Sequence, residues 1–199
     1  MWALVESGSV SKIYNNPKPI IVGDIQYPSN IFMLWTSSQL EAIGIYKVVV
    51  NDTNFKNPKY YINTDQSFAF GSGKVTATYG TATAKAHADT LYTQEDEDNG
   101  LGTKDDVKTE GLKTVLIRQV KKQAEGILNE TDWYITRKAE KSTAIPSAIT
   151  THRDAVRTKQ ASMETAITNA ADTPALETLY TYTTTDGVTT RPLGVLPTL

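Results

Sequence analysis

Hydrophobic residues in the first part of the chain occur in short runs that alternate with polar residues, a pattern typical of β-strands. Two such runs, residues 2–6 and 10–14, flank a Ser-Gly-Ser turn, and the run richest in β-branched residues is 45–50. Further strands are predicted at 20–22, 59–63, 66–70 and 74–83. Residues 1–83 therefore predict a small, mainly β N-terminal module.

One short helix is expected within this module. Residues 31–35 are apolar throughout and are expected to enter a core. Thr36 or Ser37 then provides an N-cap for a helix that extends to Ala42, and Gln39 stands near the position that completes a capping box.

From Asp105 onward the hydrophobic positions follow a helical period, so residues 105–172 predict a domain of three helices. The first helix is expected to begin at Asp105, and its apolar stripe is Leu112, Val115, Leu116, Val120, Ala124, Ile127 and Leu128. The second is expected at Asp132–Lys141 with Thr131 as N-cap, and the third from Pro146 to about Ala171.

The third predicted helix has a narrow apolar stripe. Ile149, Val156, Met163 and Ile167 recur on one face, with threonines between them. Such a stripe does not form a core by itself, so we expect the helix to pack against the other two helices or against another chain.

Two segments lack a strong helical pattern. Residues 84–104 contain the acidic run Glu95–Asp98 followed by Asn99-Gly100 and are predicted to be a solvated linker. A calcium-binding loop is the alternative, but Gly102 and Asp106 fall at loop positions that do not suit an EF-hand. Residues 173–199 are predicted to be an extended tail or a hairpin turning at Asp186-Gly187. The expected fold class is therefore α+β.

Composition narrows the functional classes. The net charge of −2 gives no electrostatic reason to bind nucleic acid or an anionic membrane, so neither is an expected partner. The absence of cysteine removes disulfides and thiolate chemistry. The N-terminus lacks the basic start and long apolar core of a signal peptide. No apolar run reaches the roughly 18–20 residues of a membrane span.

The sequence contains no recognisable catalytic motif. His87 and His152 are isolated, and the only dense acidic run lies in the predicted linker, where it would not form the paired carboxylates of a glycan-cleaving enzyme. We therefore expect a protein that is not an enzyme and has no cofactor or metal.

The chemically distinctive residues of the helical region are expected to serve packing. Trp133 is predicted to fill the core between the second helix and its neighbour. Arg153 and Arg157 lie four residues apart, and we expect them to form salt bridges with Asp132 and Glu140 of the preceding helix, with a partner contact as the alternative.

The same helical region resembles a known family. It resembles the C-terminal domain of bacteriophage tail-fibre assembly and tail-associated proteins. The residues that carry the resemblance are, in chain order, Asp132-Trp133 after a Leu-containing helix end, Ile145-Pro146, and Arg153-x-x-x-Arg157. His152 stands where the family pattern has an aromatic residue, most often Tyr.

The N-terminal module carries a second resemblance. Several of its segments resemble the N-terminal module of many phage tail proteins. These segments are Trp2-Ala3-Leu4-Val5-Glu6, Pro19 with Gly23-Asp24, Tyr27-Pro28, Trp35, and Leu40 to Tyr46. Together the two resemblances cover roughly two thirds of the chain.

The resemblance implies a non-enzymatic structural protein of a bacteriophage tail, associated with the tail fibre or baseplate, that connects other tail subunits in the virion. Its expected partners are fibre, baseplate or tail-tube subunits, and it would be a homo-oligomer or present in several copies set by the tail's symmetry. The expected location is the virion tail, after synthesis in the host cytoplasm.

A tail-fibre assembly chaperone that leaves the finished particle is the alternative. The extension beyond Ala171 favours the virion component. The candidate residues for packing or partner contact are Trp133, Arg153, Arg157, Val156, Met163 and Ile167.

Overall fold

A computed structural model describes residues 1–199, which divide into two units, Met1–Thr83 and Ala84–Leu199. The division follows Thr83, the residue at which the sequence pattern ended the mainly β module. The predicted α+β class is confirmed, because strands dominate the first unit and helices the second. No helix is long and apolar enough to cross a membrane.

The elements up to residue 84 are mostly strands. In chain order they are β1 (Trp2–Glu6), β2 (Ser9–Tyr14), β3 (Ile20–Val22), β4 (Ile25–Tyr27), α1 (Ile31–Leu34), α2 (Ser37–Glu41), β5 (Ile45–Asn51), β6 (Tyr61–Ile62), β7 (Gln66–Gly71), β8 (Lys74–Tyr79) and β9 (Thr83–Ala84).

Five strands form a half-barrel sheet in the order β2-β1-β5-β8-β7. Neighbouring strands are antiparallel except for β5 and β8, which are parallel. Successive side chains of a strand point to opposite faces, and β1 shows the consequence: Leu4 joins one buried cluster and Ala3 joins another. The first cluster also contains Ile31, Phe32 and Leu40 from the two short helices.

The two short helices test two local predictions. The capping box of α2 is confirmed, since the Thr36 hydroxyl accepts a hydrogen bond from the Gln39 amide and the Gln39 side chain accepts one from the Thr36 amide. The expectation that all of residues 31–35 enter the core is wrong. This segment is helical, and a single turn buries only one side, so Met33 and Leu34 are exposed.

The second unit contains five helices and two small two-stranded sheets. Its elements are β10 (Thr90–Leu91), α3 (Gln94–Asp98), β11 (Val107–Thr109), α4 (Leu112–Asn129), α5 (Asp132–Lys141), α6 (Ser147–Asn169), α7 (Thr173–Tyr180), β12 (Thr183–Thr185) and β13 (Val188–Thr190).

The predicted linker at residues 84–104 is instead ordered. It contains β10, which pairs with β11, and the helix α3, which is closed by a capping box between Thr93 and Asp96. The acidic run lies in this helix, where the first-turn carboxylates interact favourably with the positive end of the helix dipole. A helix at residues 94–98 also replaces the loop that the calcium alternative required.

The first long helix begins at Leu112 rather than at Asp105, so that prediction is wrong. Residues 107–109 form β11, and Gly111 is the N-cap. The Asp89 carboxylate accepts hydrogen bonds from the Gly111 amide at 2.6 Å and from the Thr114 hydroxyl at 2.8 Å. These bonds lower the pKa of Asp89 and fix the start of the helix through a residue distant in sequence.

Helices α4 and α6 pack side by side to form the core of the second unit. The predicted stripe of α6 is confirmed, since Ile149, Val156, Met163 and Ile167 are all buried. From α4 the buried side chains are Leu116, Val120 and Ala124. The remaining predicted stripe residues of α4 lie at the edges of this contact and are half-buried.

The last residues form a helix and a hairpin. Helix α7 starts at Thr173, whose hydroxyl donates to the Lys85 carbonyl at 2.7 Å. The predicted turn at Asp186-Gly187 joins β12 to β13, with both φ angles positive at 51° and 77°. Every residue of these two strands is exposed, and the chain beyond them is held by the buried Leu193.

Candidate interaction surface

The turn between α4 and α5 is held by a buried arginine of α6. Nη1 of Arg153 donates to the Leu128 carbonyl at 2.7 Å and to the Thr131 hydroxyl at 2.7 Å. The same nitrogen lies 2.8 Å from Oδ1 of Asp132. Arg153 is only 7% exposed, so its charge is compensated by these three oxygens around Nη1, while its buried Nε has no hydrogen-bond partner.

The physical reason for this contact is the end of α4. The last carbonyls of a helix have no partner within the helix, and a cation there is favoured by the helix dipole. Arg153 supplies both the donor and the charge. Helix α5 has the predicted bounds and Thr131 stands at its N-cap position, as predicted, but the Thr131 hydroxyl makes no capping bond to α5 and instead donates to the Leu128 carbonyl at 3.0 Å.

Trp133 does not fill the core, so that prediction is also wrong. Its side chain is 51% exposed, and α5 buries none of its residues. The indole lies against the ring of Tyr134, with centroids 3.9 Å apart. The guanidinium of Arg137 lies 4.8 Å from the indole centroid and 5.7 Å from the Tyr134 centroid. The result is a cluster of the exposed Trp133 with the half-buried Tyr134 and Arg137, here called the α5 aromatic cluster.

The two arginines predicted as a pair have different surroundings. Arg153 forms the predicted bridge to Asp132, whereas Arg157 is exposed and lies 3.3 Å from Asp154 of its own helix. The predicted bridge to Glu140 does not form, and the Arg157 guanidinium instead contacts Asp154 on its own turn of α6. Val156, Met163 and Ile167 are buried packing residues.

The α5 aromatic cluster includes two residues that the sequence did not identify as candidates, Tyr134 and Arg137. Trp133 and Arg137 are separated by four positions, which places them on one side of a helix, and this spacing was the available signal. Exposed Trp, Tyr and Arg are the residue types that contribute most to protein–protein contacts.

The remaining titratable groups show no arrangement for metal binding. No group of three or more His, Cys, Asp or Glu side chains is placed to hold a metal ion. The most perturbed carboxylate is Asp96, whose pKa is lowered to about 2 by hydrogen bonds from Lys108 and Thr93. This group stabilises the α3 segment and lies outside the α5 cluster.

Comparison of the chain with protein-family models, with curated proteins and with solved structures gives no match.

Proposed function

We propose that this chain is a non-enzymatic structural protein of a bacteriophage tail that connects other tail subunits in the virion. The proposal is supported by the Asp132-Trp133, Ile145-Pro146 and Arg153-x-x-x-Arg157 motifs, and by the resemblance of the N-terminal segments to phage tail modules. Its partners are fibre, baseplate or tail-tube subunits, and its copy number follows the symmetry of the tail.

The observation that carries the proposal is the position of Trp133. This residue belongs to the motif and yet contributes little to the core, because half of its side chain is exposed. Tyr134 and Arg137 hold the indole in place, so binding a partner costs little side-chain entropy. A fixed, half-exposed tryptophan beside an arginine is typical of the residues that dominate binding energy in protein interfaces.

The direct test is the protein composition of purified particles. Mass spectrometry is expected to find the chain in particles freed of unassembled protein. Its absence from infectious particles would contradict a structural role in the virion.

A second test concerns the surface that makes the contact. Trp133→Ala is expected to reduce incorporation into particles at least tenfold while leaving the circular dichroism of the purified protein unchanged, because truncating a hot-spot aromatic costs about 2 kcal/mol or more of binding energy. Tyr182→Ala is the matched control, since Tyr182 is 56% exposed and also contacts an arginine, but lies outside α5. Equal losses for both variants would remove the special role of the α5 aromatic cluster.

An assembly chaperone for the tail fibre is the second candidate, because the C-terminal motif also resembles assembly proteins. A chaperone is expected to co-purify with the fibre before particles form and to be missing afterwards. Sampling an infected culture over time, with separate assays of free fibre and of finished particles, distinguishes the two roles.

A further inference from the structure

One side of the α4–α6 pair is an open groove. A concavity of about 650 Å³ is lined by Leu128 of α4 and by a flank of α6 that includes Arg157, Gln160, Ala161, Glu164 and Thr165. These α6 positions recur at steps of three and four residues, so they form one continuous face about a quarter turn from the buried stripe.

The open side also includes α4. A second concavity of about 300 Å³ is lined by Thr114, Ile117, Arg118 and Lys121. Nζ of Lys121 lies 3.5 Å from the Glu164 carboxylate, which places both concavities on the same side of the helix pair. Two packed helices with one open side present the surface that a further helix covers in a helical bundle.

The charges on the α6 flank are self-complementary. Arg157 and Glu164 have opposite signs and are seven residues, about two turns, apart. When two copies of α6 run antiparallel about a two-fold axis between Gln160 and Ala161, Arg157 faces the partner's Glu164 and Glu164 faces the partner's Arg157. A parallel arrangement in register would instead place like charges together.

The present partners of these two charges leave them available. Arg157 has only the exposed contact with Asp154 at 3.3 Å, and Glu164 has the 3.5 Å contact with Lys121 and a hydrogen bond from the Gln160 amide. The Arg157–Asp154 pair is exposed and contributes little to stability. The Lys121–Glu164 contact is long and joins an exposed lysine to a half-buried carboxylate, so it too can be exchanged for a contact across a two-fold axis. At the axis itself, the small side chain of Ala161 permits close approach of the helices.

We propose that this groove is a homodimer interface in which the α6 flanks of two copies pack antiparallel about a two-fold axis between Gln160 and Ala161. The occupant is a second copy of this chain. The interface lies on α6 and α4, whereas the proposed tail contact uses α5. The inference therefore does not depend on the tail role, and either can fail without the other.

Charge reversal tests the pairing. The wild-type chain is expected to dimerise in sedimentation equilibrium, and Arg157→Glu and Glu164→Arg are each expected to raise the dimer Kd at least tenfold, because each change creates two like-charge contacts by symmetry. Lys122→Glu, an exposed charge reversal on α4, is the control and is expected to leave the Kd within about twofold. A wild-type chain that stays monomeric at millimolar concentration would overturn the proposal.

Mixing the two variants gives the sharper result. A heterodimer of Arg157→Glu with Glu164→Arg has opposite charges at both contacts, so an equimolar mixture is expected to recover wild-type dimerisation. The double variant carrying both changes is expected to dimerise by itself for the same reason. Failure of both combinations, with each single variant folded by circular dichroism, would show that these residues do not pair.

A cysteine probe locates the axis without altering charge. The chain has no native cysteine, so a single introduced thiol reports only on its own position. Ala161→Cys is expected to form a disulfide-linked dimer under mild oxidation, because two copies meet beside the axis. Ala155→Cys, exposed on the side of α6 that faces away from the groove, is expected not to crosslink. Equal crosslinking of the two variants, or none at Ala161→Cys, would overturn the antiparallel arrangement.

Discussion

Arg153 connects three segments through one side chain. Its Nη1 atom contacts the end of α4 at Leu128, the turn at Thr131 and the first residue of α5 at Asp132. The sequence identified this arginine as a packing candidate, but not its burial or its carbonyl partner. Backbone carbonyls at a helix end leave no mark in the residue pattern, which explains the omission.

Replacing Arg153 is expected to be costly. Arg153→Ala removes a buried, charged donor that the Leu128 carbonyl, the Thr131 hydroxyl and the Asp132 carboxylate share, so the free energy of unfolding should fall by about 2–3 kcal/mol. Arg157→Ala, one turn away in an exposed pair, should cost less than about 1 kcal/mol. Urea denaturation at a protein concentration too low for self-association measures both. Equal costs would mean that the Arg153 contacts contribute little.

Replacing either of two glycines at α4 by alanine is expected to change the free energy of unfolding, but in opposite directions. A Cβ atom at Gly111 would lie 2.3 Å from the backbone of Ala88, whereas a Cβ at Gly126 would meet nothing within 4 Å. Gly111→Ala should therefore destabilise by about 1–3 kcal/mol, as overpacking does. Gly126→Ala should stabilise by about 0.5–1 kcal/mol, because alanine is the better helix former. Thermal unfolding of the two variants provides the measurement, and a shift in the same direction for both would contradict the close approach at Gly111.

At the scale of elements, α3 is stabilised by a carboxylate that is ionised at neutral pH. Oδ1 of Asp96 lies 2.7 Å from Nζ of Lys108, and its Oδ2 accepts hydrogen bonds from the amide and hydroxyl of Thr93. The pKa of Asp96 is lowered to about 2, first by Lys108 and then by the backbone of Thr93. The salt bridge to Lys108 thus joins the segment that was predicted to be a linker to β11.

This pKa predicts a dependence of stability on pH. A carboxyl whose folded pKa lies below its unfolded value of about 3.9 contributes fully above pH 4 and loses that contribution as the pH falls to about 2. The Tm difference between wild type and Asp96→Asn should therefore be largest near neutral pH, shrink as the pH falls toward 2 and disappear below it. Glu95→Gln, on the same helix but without the Lys108 contact, should show a smaller trend. If the Tm difference between wild type and Asp96→Asn stayed constant from neutral to acidic pH, the lowered pKa of Asp96 would be contradicted.

Elements fixed by local signals were predictable, and those fixed by distant contacts were not. The hairpin of β1 and β2, the capping box of α2 and the stripe of α6 follow from neighbouring residues. The start of α4 depends on Asp89, and the order of residues 84–104 depends on β11, so both predictions failed. Trp133 was misplaced because hydrophobicity alone does not distinguish a core tryptophan from one stacked on a surface tyrosine.

At the scale of the whole molecule, the chain divides into a mainly β and a mainly α unit, each with its own buried cluster. A fragment of residues 1–84, which retains both strands of the β6–β9 pair, is expected to fold alone and to unfold cooperatively. A fragment of residues 1–60 loses β7 and β8 and thus the partner of β5, so it should not fold. Circular dichroism and urea unfolding distinguish the two, and an unfolded 1–84 fragment would contradict the independence of the first unit.

The parallel pairing of β5 with β8 has a consequence for synthesis on the ribosome. Strands β1, β2 and β5 emerge first, and the nascent sheet keeps an unpaired edge at β5 until residues 74–79 follow. An open edge of this kind can pair with the same edge of a neighbouring nascent chain. Strands β7 and β8 are joined by a tight turn at residues 71–74, so they form locally and close the edge together as one hairpin. The arrival of that hairpin is thus the event that covers the β5 edge of the nascent chain.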